Sequence, residues 1–295
     1  MSASDTPRAP GLPYPRFPEE SFAPPWSATG RPASALDALL GALLKRAGDL
    51  ALSRFGAPMV ERKSDGTPVT NVDRDVEALI VAGLREAFPE DAVEAEEGGG
   101  CAGGARTWVV DPLDGTAAYS EGLAHWGPVV AAIEGGVVVA GAIYLPRLRE
   151  YYFVERGLGA FRNGAPLPPL SRDAEAAPTS LSVLYVPSRL HAHAELRWPG
   201  KARCLGSLAS HLALVAAGAA AGALIPAGWR AWDTAAGLAL IEAVGGRALA
   251  VDGQPFDLHD HAGQAFVVGH AGAVAWLAKP GRVTLRPKSA PLQRL

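Results

Sequence analysis

Cysteine is nearly missing from this chain: two in 295 residues, Cys101 and Cys204, far apart in sequence. Such spacing makes neither a zinc-ligand pair nor a disulfide framework, and it fits a reducing cytoplasm. The histidines supply no cluster either. His191 and His193, like His259 and His261, are one residue apart, so they share no helix face and read as exposed loop residues. Long apolar runs are absent. The most apolar stretches are broken, as by Glu134-Gly135-Gly136, or stop short of about 18 residues, so no membrane span is expected. Met1 to Pro10 carries no apolar signal core. There is no excess of basic charge, since 27 Lys and Arg stand against 30 Asp and Glu, so no global field attracts a nucleic-acid polymer. A Walker A lysine loop and a GxSxG elbow are also missing.

What is present is apolar mass. The chain is 48% hydrophobic, enough for a large core in one domain or two. Residues 1–33 carry Pro7, Pro10, Pro13, Pro15, Pro18, Pro24, Pro25 and Pro32, a density that defeats helix and sheet. They read as an irregular extension, with Tyr14, Phe17, Phe22 and Trp26 as available anchors. Ser34 then opens a helix, with Asp37 completing a partial capping box. Leu36, Leu39, Leu40, Leu43, Leu44, Ala47 and Leu50 form its apolar face. Thr70 is the expected N-cap of a second helix and puts Asp73 in the first turn, where an acid offsets the helix dipole. A short strand after Asp91 ends in Glu96-Glu97 and a glycine run.

Strands are expected at Val129–Ile133, Val137–Leu145 and Tyr151–Val154, the first two forming a hairpin. Gly157–Gly164 reads as a turn-rich connection. After Ser180 the elements alternate: strand 181–186, helices 208–224 and 232–244, strands 247–251 and 265–268, and helix 271–277. Alternation of this kind implies a layered α/β half. The organisation expected is thus an α+β half at 34–179, an α/β half at 180–278, and a loose basic tail at 279–295.

The stretch Trp108-Val109-Val110-Asp111-Pro112-Leu113-Asp114-Gly115-Thr116 holds the chemistry. An apolar strand runs into two aspartates three residues apart. Pro112 fixes φ and Gly115 permits a tight bend, so the carboxylates can converge. Ionised carboxylates that close repel unless a cation lies between them. The motif reads either as a site for hard divalent cations, Mg2+ first, or as a charged turn after a strand. Asp233, at the start of the helix after Trp232, reads as a helix cap that can also face a metal. Asp73, Glu96, Glu97, Asp111, Asp114 and Asp233 all lie at helix starts or strand ends, which a layered fold can gather at one rim.

These residues resemble the inositol monophosphatase family of Mg2+-dependent, Li+-sensitive phosphatases. The signatures are Asp111-Pro112-Leu113-Asp114-Gly115-Thr116 and Trp232-Asp233-Thr234-Ala235-Ala236-Gly237, with Glu242-Ala243-Val244-Gly245-Gly246 following. Lys63…Val69-Thr70…Asp73, Glu96-Glu97, Gly159-Ala160-Phe161…Asn163-Gly164 and Gly206-Ser207…Val215-Ala216-Ala217-Gly218 match in the same order. The resemblance spans residues 35 to 278 and implies an α+β fold, a layered αβαβα sandwich as in sugar phosphatases.

It also implies a site of two or three Mg2+ ions. Glu96, Asp111 and the Leu113 carbonyl would hold the first, Asp111, Asp114 and Asp233 the second, and Glu96 with water a weaker third. Gly115 and Thr116 would offer N–H groups to the phosphate. Thr116 and Asp73 would help deprotonate the attacking water. Lys63, Asp114, Gly206 and Ser207 would lie on the phosphate or substrate side, with Glu97 behind the ligands. The implied activity is hydrolysis of a small phosphorylated metabolite, in the cytoplasm, by a chain that forms a homodimer. The substrate-facing positions depart from the family pattern. Ala118-Tyr119 replaces an Asn-Phe pair, Gly122-Leu123-Ala124 a Gly-x-Pro, and His211 an Asp or Asn. Val129, beside Pro128, stands near a usual Ser, and Pro226–Arg230 lacks an acid that inositol-specific members carry. A 3′(2′),5′-bisphosphate nucleotidase, with Trp229 and Arg230 on a base or second phosphate, and a histidinol-phosphatase are alternatives. A catalytically silent binder of a phosphorylated ligand or a partner protein is an alternative of another class.

Overall fold

The computed structural model describes residues 33–56, 60–62, 68–98, 104–170, 176–258 and 263–286. Expectations for the N-terminal extension, Lys63, Cys101, His259, His261 and the last nine residues lie outside them. Helix α1 (Ala35–Ser53) is capped by Ser34, whose hydroxyl accepts the Asp37 N–H, while Asp37 accepts the Ala33 N–H at 2.7 Å. A short ribbon, β1 (Val60–Arg62) and β2 (Pro68–Thr70), leads into α2 (Asn71–Ala87). Val72, Val76, Ile80 and Leu84, at helical spacing, are fully buried, as the sequence pattern requires.

Seven strands follow in one sheet: β3 (Ala92–Ala95), β4 (Arg106–Asp114), β5 (Gly127–Glu134), β6 (Val137–Leu145), β7 (Glu150–Glu155), β8 (Gly159–Arg162) and β9 (Ala165–Pro166). Their order in space is their order in sequence, and only β3 and β4 are parallel. A five-residue helix, α3 (Thr116–Ser120), sits between β4 and β5. Side chains alternate across a strand. Trp108 and Val110 of β4 therefore join the core with α1 and α2, and Val109 joins the core on the opposite face.

That opposite face packs on α5 (Leu208–Ala216) and α6 (Ala231–Ala243). Beyond them lies a second sheet, ordered β12 (Lys201–Arg203), β10 (Val183–Tyr185), β13 (Gly222–Ile225), β15 (Phe266–Gly269) and β14 (Arg247–Ala250). The first three run parallel, and β15 is antiparallel to both neighbours. Its outer face is covered by α7 (Ala271–Leu277) and a ribbon of β11 (Ala194–Leu196) with β16 (Val283–Leu285), reached through the single turn α4 (Leu190–His193). The layers run helix, sheet, helix, sheet, helix, which is the αβαβα sandwich expected.

The ribbon strand β2, the short helices α3 and α4 and the strands β11 and β12 are not expected from the sequence, and three expected segments turn out differently. The helix expected over 208–224 stops at Ala216, Gly218 takes a left-handed φ of 78°, and Gly222–Ile225 is a buried strand. A four-residue apolar run has the same hydropathy as the end of a buried helix, so periodicity could not separate them. The turn-rich Gly157–Gly164 contains β8, which pairs with β7. The tail expected from 279 includes β16, where Val283 is buried under the second sheet.

Candidate active site

Strand β4 delivers the two aspartates. Its pairing with β5 holds through Asp111 opposite Val129, then shifts, and resumes at Asp114 opposite Gly127. Pro112, which has no N–H to give the ladder, lies inside this irregularity. The Asp111 carboxylate accepts the Leu113 N–H at 2.9 Å. Gly115 then turns the chain with φ 88°, and a Cβ there would lie 3.0 Å from the His125 carbonyl and from Ser207 Cβ. Only glycine suits both the conformation and the space.

Asp111 is 2% exposed. Burial pushes its carboxyl well above the ordinary range, and the charges of Glu96, Asp114 and Asp233 push it further. Glu96 and Asp233, distant in sequence, are thus brought within electrostatic reach of Asp111. Burial also raises Asp114, to about 6, against three hydrogen bonds that lower it. Those bonds come from the start of α5: the Ser207 hydroxyl, the Leu208 N–H at 3.2 Å and the Ala209 N–H at 2.8 Å. Ser207, 2% exposed, also caps α5 through the Ser210 N–H. It supports Asp114 from the start of α5.

Asp73 is 1% exposed and completes the capping box of α2. One of its oxygens accepts the Thr70 N–H at 2.8 Å; the other accepts the Thr116 hydroxyl at 3.0 Å. That hydroxyl also lies 3.1 Å from the Leu113 carbonyl, and its one proton serves one acceptor at a time. Burial raises the Asp73 carboxyl, and the hydrogen bonds from Thr70 and Thr116 oppose the rise. Glu96 follows β3 and donates its N–H to Val110 at 3.2 Å. Asp233 is the third residue of α6, where it accepts the Arg230 N–H at 2.6 Å. Gly206, at φ 87°, packs so close to α3 that a Cβ would meet Ala118 Cβ at 2.9 Å.

A set of oxygen acids, Asp111 and Asp114 buried and Glu96 and Asp233 half-buried, fits a hard divalent cation where their charges repel. Among the described residues, no three His, Cys, Asp or Glu side chains already stand as a group able to hold a metal ion. Asp114 and Asp233 accept backbone N–H groups at helix starts, and each carboxylate keeps a lone pair beyond those used.

Two residues around the site depart from sequence reasoning. Trp229, expected as a surface for a base, is 5% exposed, donates to the Gln264 carbonyl at 2.5 Å and packs against Phe266. It is a core residue. Glu77, unremarked in the sequence, is buried at 6% exposure beside the Glu97 backbone. Its signal was present: it lies four residues after Asp73, on the same helix face.

A family profile described as "Inositol monophosphatase family" matches residues 34–283. A histidinol-phosphatase from Chlorobaculum parvum is 35% identical over 212 residues, covering 69% of this chain and 81% of that protein. An inositol-1-monophosphatase from Mesorhizobium japonicum is 35% identical over 213 residues, covering 66% and 76%. The structure of a Thermotoga maritima IMPase superposes with a TM-score of 0.70 at 29% identity, covering 80% of this chain and 92% of that one. Fold and family together define a phosphatase, a hydrolase of phosphate monoesters. The chain belongs to the inositol monophosphatase family, whose members are generally metal-dependent.

Proposed function

We propose that this chain is a Mg2+-dependent phosphomonoesterase that transfers the phosphoryl group of a small phosphorylated metabolite directly to water. The observation that carries the reading is Asp111, buried at the end of β4 among the charges of Glu96, Asp114 and Asp233. Glu96, Asp111, the Leu113 carbonyl, Asp114 and Asp233 would hold two or three Mg2+ ions. When bound, Mg2+ would supply charge neutralisation at the phosphoryl and leaving oxygens and acidify a water.

The chain's own groups do the rest. The Thr116 hydroxyl, donating to Asp73, has a lone pair left to accept a proton from the attacking water. Asp73 takes up the Thr116 proton, and its raised affinity for protons suits that role. The Gly115–Thr116 turn orients the phosphate, and Gly206 lies on the substrate side of the same turn. Lys63 belongs to this proposal only through the family motif. Li+ inhibition, a cytoplasmic location and a homodimer are further parts of it, supported by the resemblance and, for the compartment, by the low cysteine content.

A histidinol phosphate is the second reading for the substrate. It is favoured by two relatives named histidinol-phosphatase, 35% and 34% identical. The nucleotidase alternative loses its stacking surface with Trp229 in the core.

Phosphate release with Mg2+ across inositol phosphates, histidinol phosphate, adenosine bisphosphates and sugar phosphates tests the proposal. Asp111→Asn is expected to lower the rate on the best substrate at least 100-fold with the circular dichroism spectrum unchanged. Full activity in that variant sinks the site assignment, and inactivity of the wild type on every substrate favours the silent binder.

A further inference from the structure

We propose that Glu77 is a positioning residue that fixes the direction of Glu96. The inference rests on the reading of Glu96 as a metal ligand. Glu77 projects from the face of α2 that also carries Asp73. Its Oε2 accepts the Glu97 N–H at 2.7 Å, and the Gly98 N–H gives the same carboxylate a second hydrogen bond. A Cβ on Gly98 would lie 2.5 Å from Glu77 Oε1, so the loop approaches this carboxylate as closely as a bare backbone allows.

On its other side the loop is tied to β4. The Glu96 N–H donates to the Val110 carbonyl, one residue before Asp111. Glu96 is therefore bracketed: its own N–H is bound to the strand that carries Asp111, and the next two N–H groups are bound to Glu77. With three consecutive N–H groups held, the backbone at Glu96 has little freedom left to turn. The relation between Glu96 and Asp111 is then set before any ion binds.

The residue type matters. A carboxylate presents two acceptor oxygens side by side to two adjacent donors. A glutamine presents one oxygen and one NH2, so one of the two backbone N–H groups loses its partner. The loop would then swing, and Glu96 with it. A glutamate kept only for stability would be a poor choice here. Burial disfavours its ionised form, and the Glu97 and Glu96 charges add to that.

Titration calorimetry of metal-free protein with Mg2+, paired with thermal melts without Mg2+, tests this in wild type, Glu77→Gln and Gly98→Ala. Each variant is expected to melt cooperatively and to bind Mg2+ roughly 10- to 100-fold more weakly. In a Glu77→Ala background, Gly98→Ala should add no further loss, because the oxygen it would strike is gone. A lowered melting temperature with unchanged Mg2+ affinity in both single variants overturns the inference and leaves Glu77 a structural acid. If the wild type itself binds no Mg2+, the metal reading fails, and the inference falls with it.

Discussion

A buried carboxylate beside three others is unfavourable until a cation joins them. Asp111 is in that position, and its raised affinity for protons has a sign that can be checked. A folded-state value above the unfolded one means that stability is present at low pH and lost as pH rises. In metal-free protein, Asp111→Asn should therefore raise the melting temperature, and by more at pH 8 than at pH 5. His211 runs the other way. It is 3% exposed, lies flat on Tyr185 at 5.0 Å and accepts the Leu205 N–H at 2.9 Å. Burial, then the nearby His125, pushes its imidazole down to about 4 from 6.5. Its stability contribution is present above pH 6.5 and lost as pH falls toward 4. Urea melts at pH 7 and pH 4.5 should show wild type losing about 2–3 kcal/mol more than His211→Asn. Equal losses would mean that His211 takes up its proton without strain.

The elements hold these residues by close approach. Gly237 of α6 faces α5, and a Cβ there would lie 2.4 Å from Leu212 Cβ. Helix propensity favours alanine by about 1 kcal/mol, while forced overpacking costs about 1–3 kcal/mol. Both helices are held between two sheets, so the contact wins, and Gly237→Ala should destabilise by up to about 2 kcal/mol in a denaturant melt. Stabilisation instead would show that α5 can slide away from α6. Much at this scale was legible. The caps at Ser34 and Thr70 and the hairpin of β5 and β6 follow from local residue types. The strand at Gly222–Ile225 was not, because Ala and Gly flank it and its burial comes from β15 and β10 on either side.

At the scale of the molecule, one core couples the two sheets. Residues of β5, β6 and β7 share it with α5, α6, β13 and β15, so a boundary near residue 180 divides the sheets but not the core. Asp111 comes from the first sheet, Glu96 from the loop after β3 and Asp233 from α6, so an ion held between them would tie the layers together. Mg2+ at 100 times its Kd should stabilise the protein by roughly 2.7 kcal/mol, several degrees in Tm, reversed by EDTA. An unchanged Tm would count against a site shared between the layers. Among the described residues no helix is long and apolar enough to cross a membrane. The sequence by itself determined the helix starts, the apolar faces and the acids at element ends, because caps, periodicity and turn residues act over a few positions. Only the tertiary structure decided that Ser207 supports Asp114, that Trp229 is core and that Glu77 holds the Glu96 loop. Each of these depends on partners 20 to 93 residues away, brought together by the layering of sheets and helices.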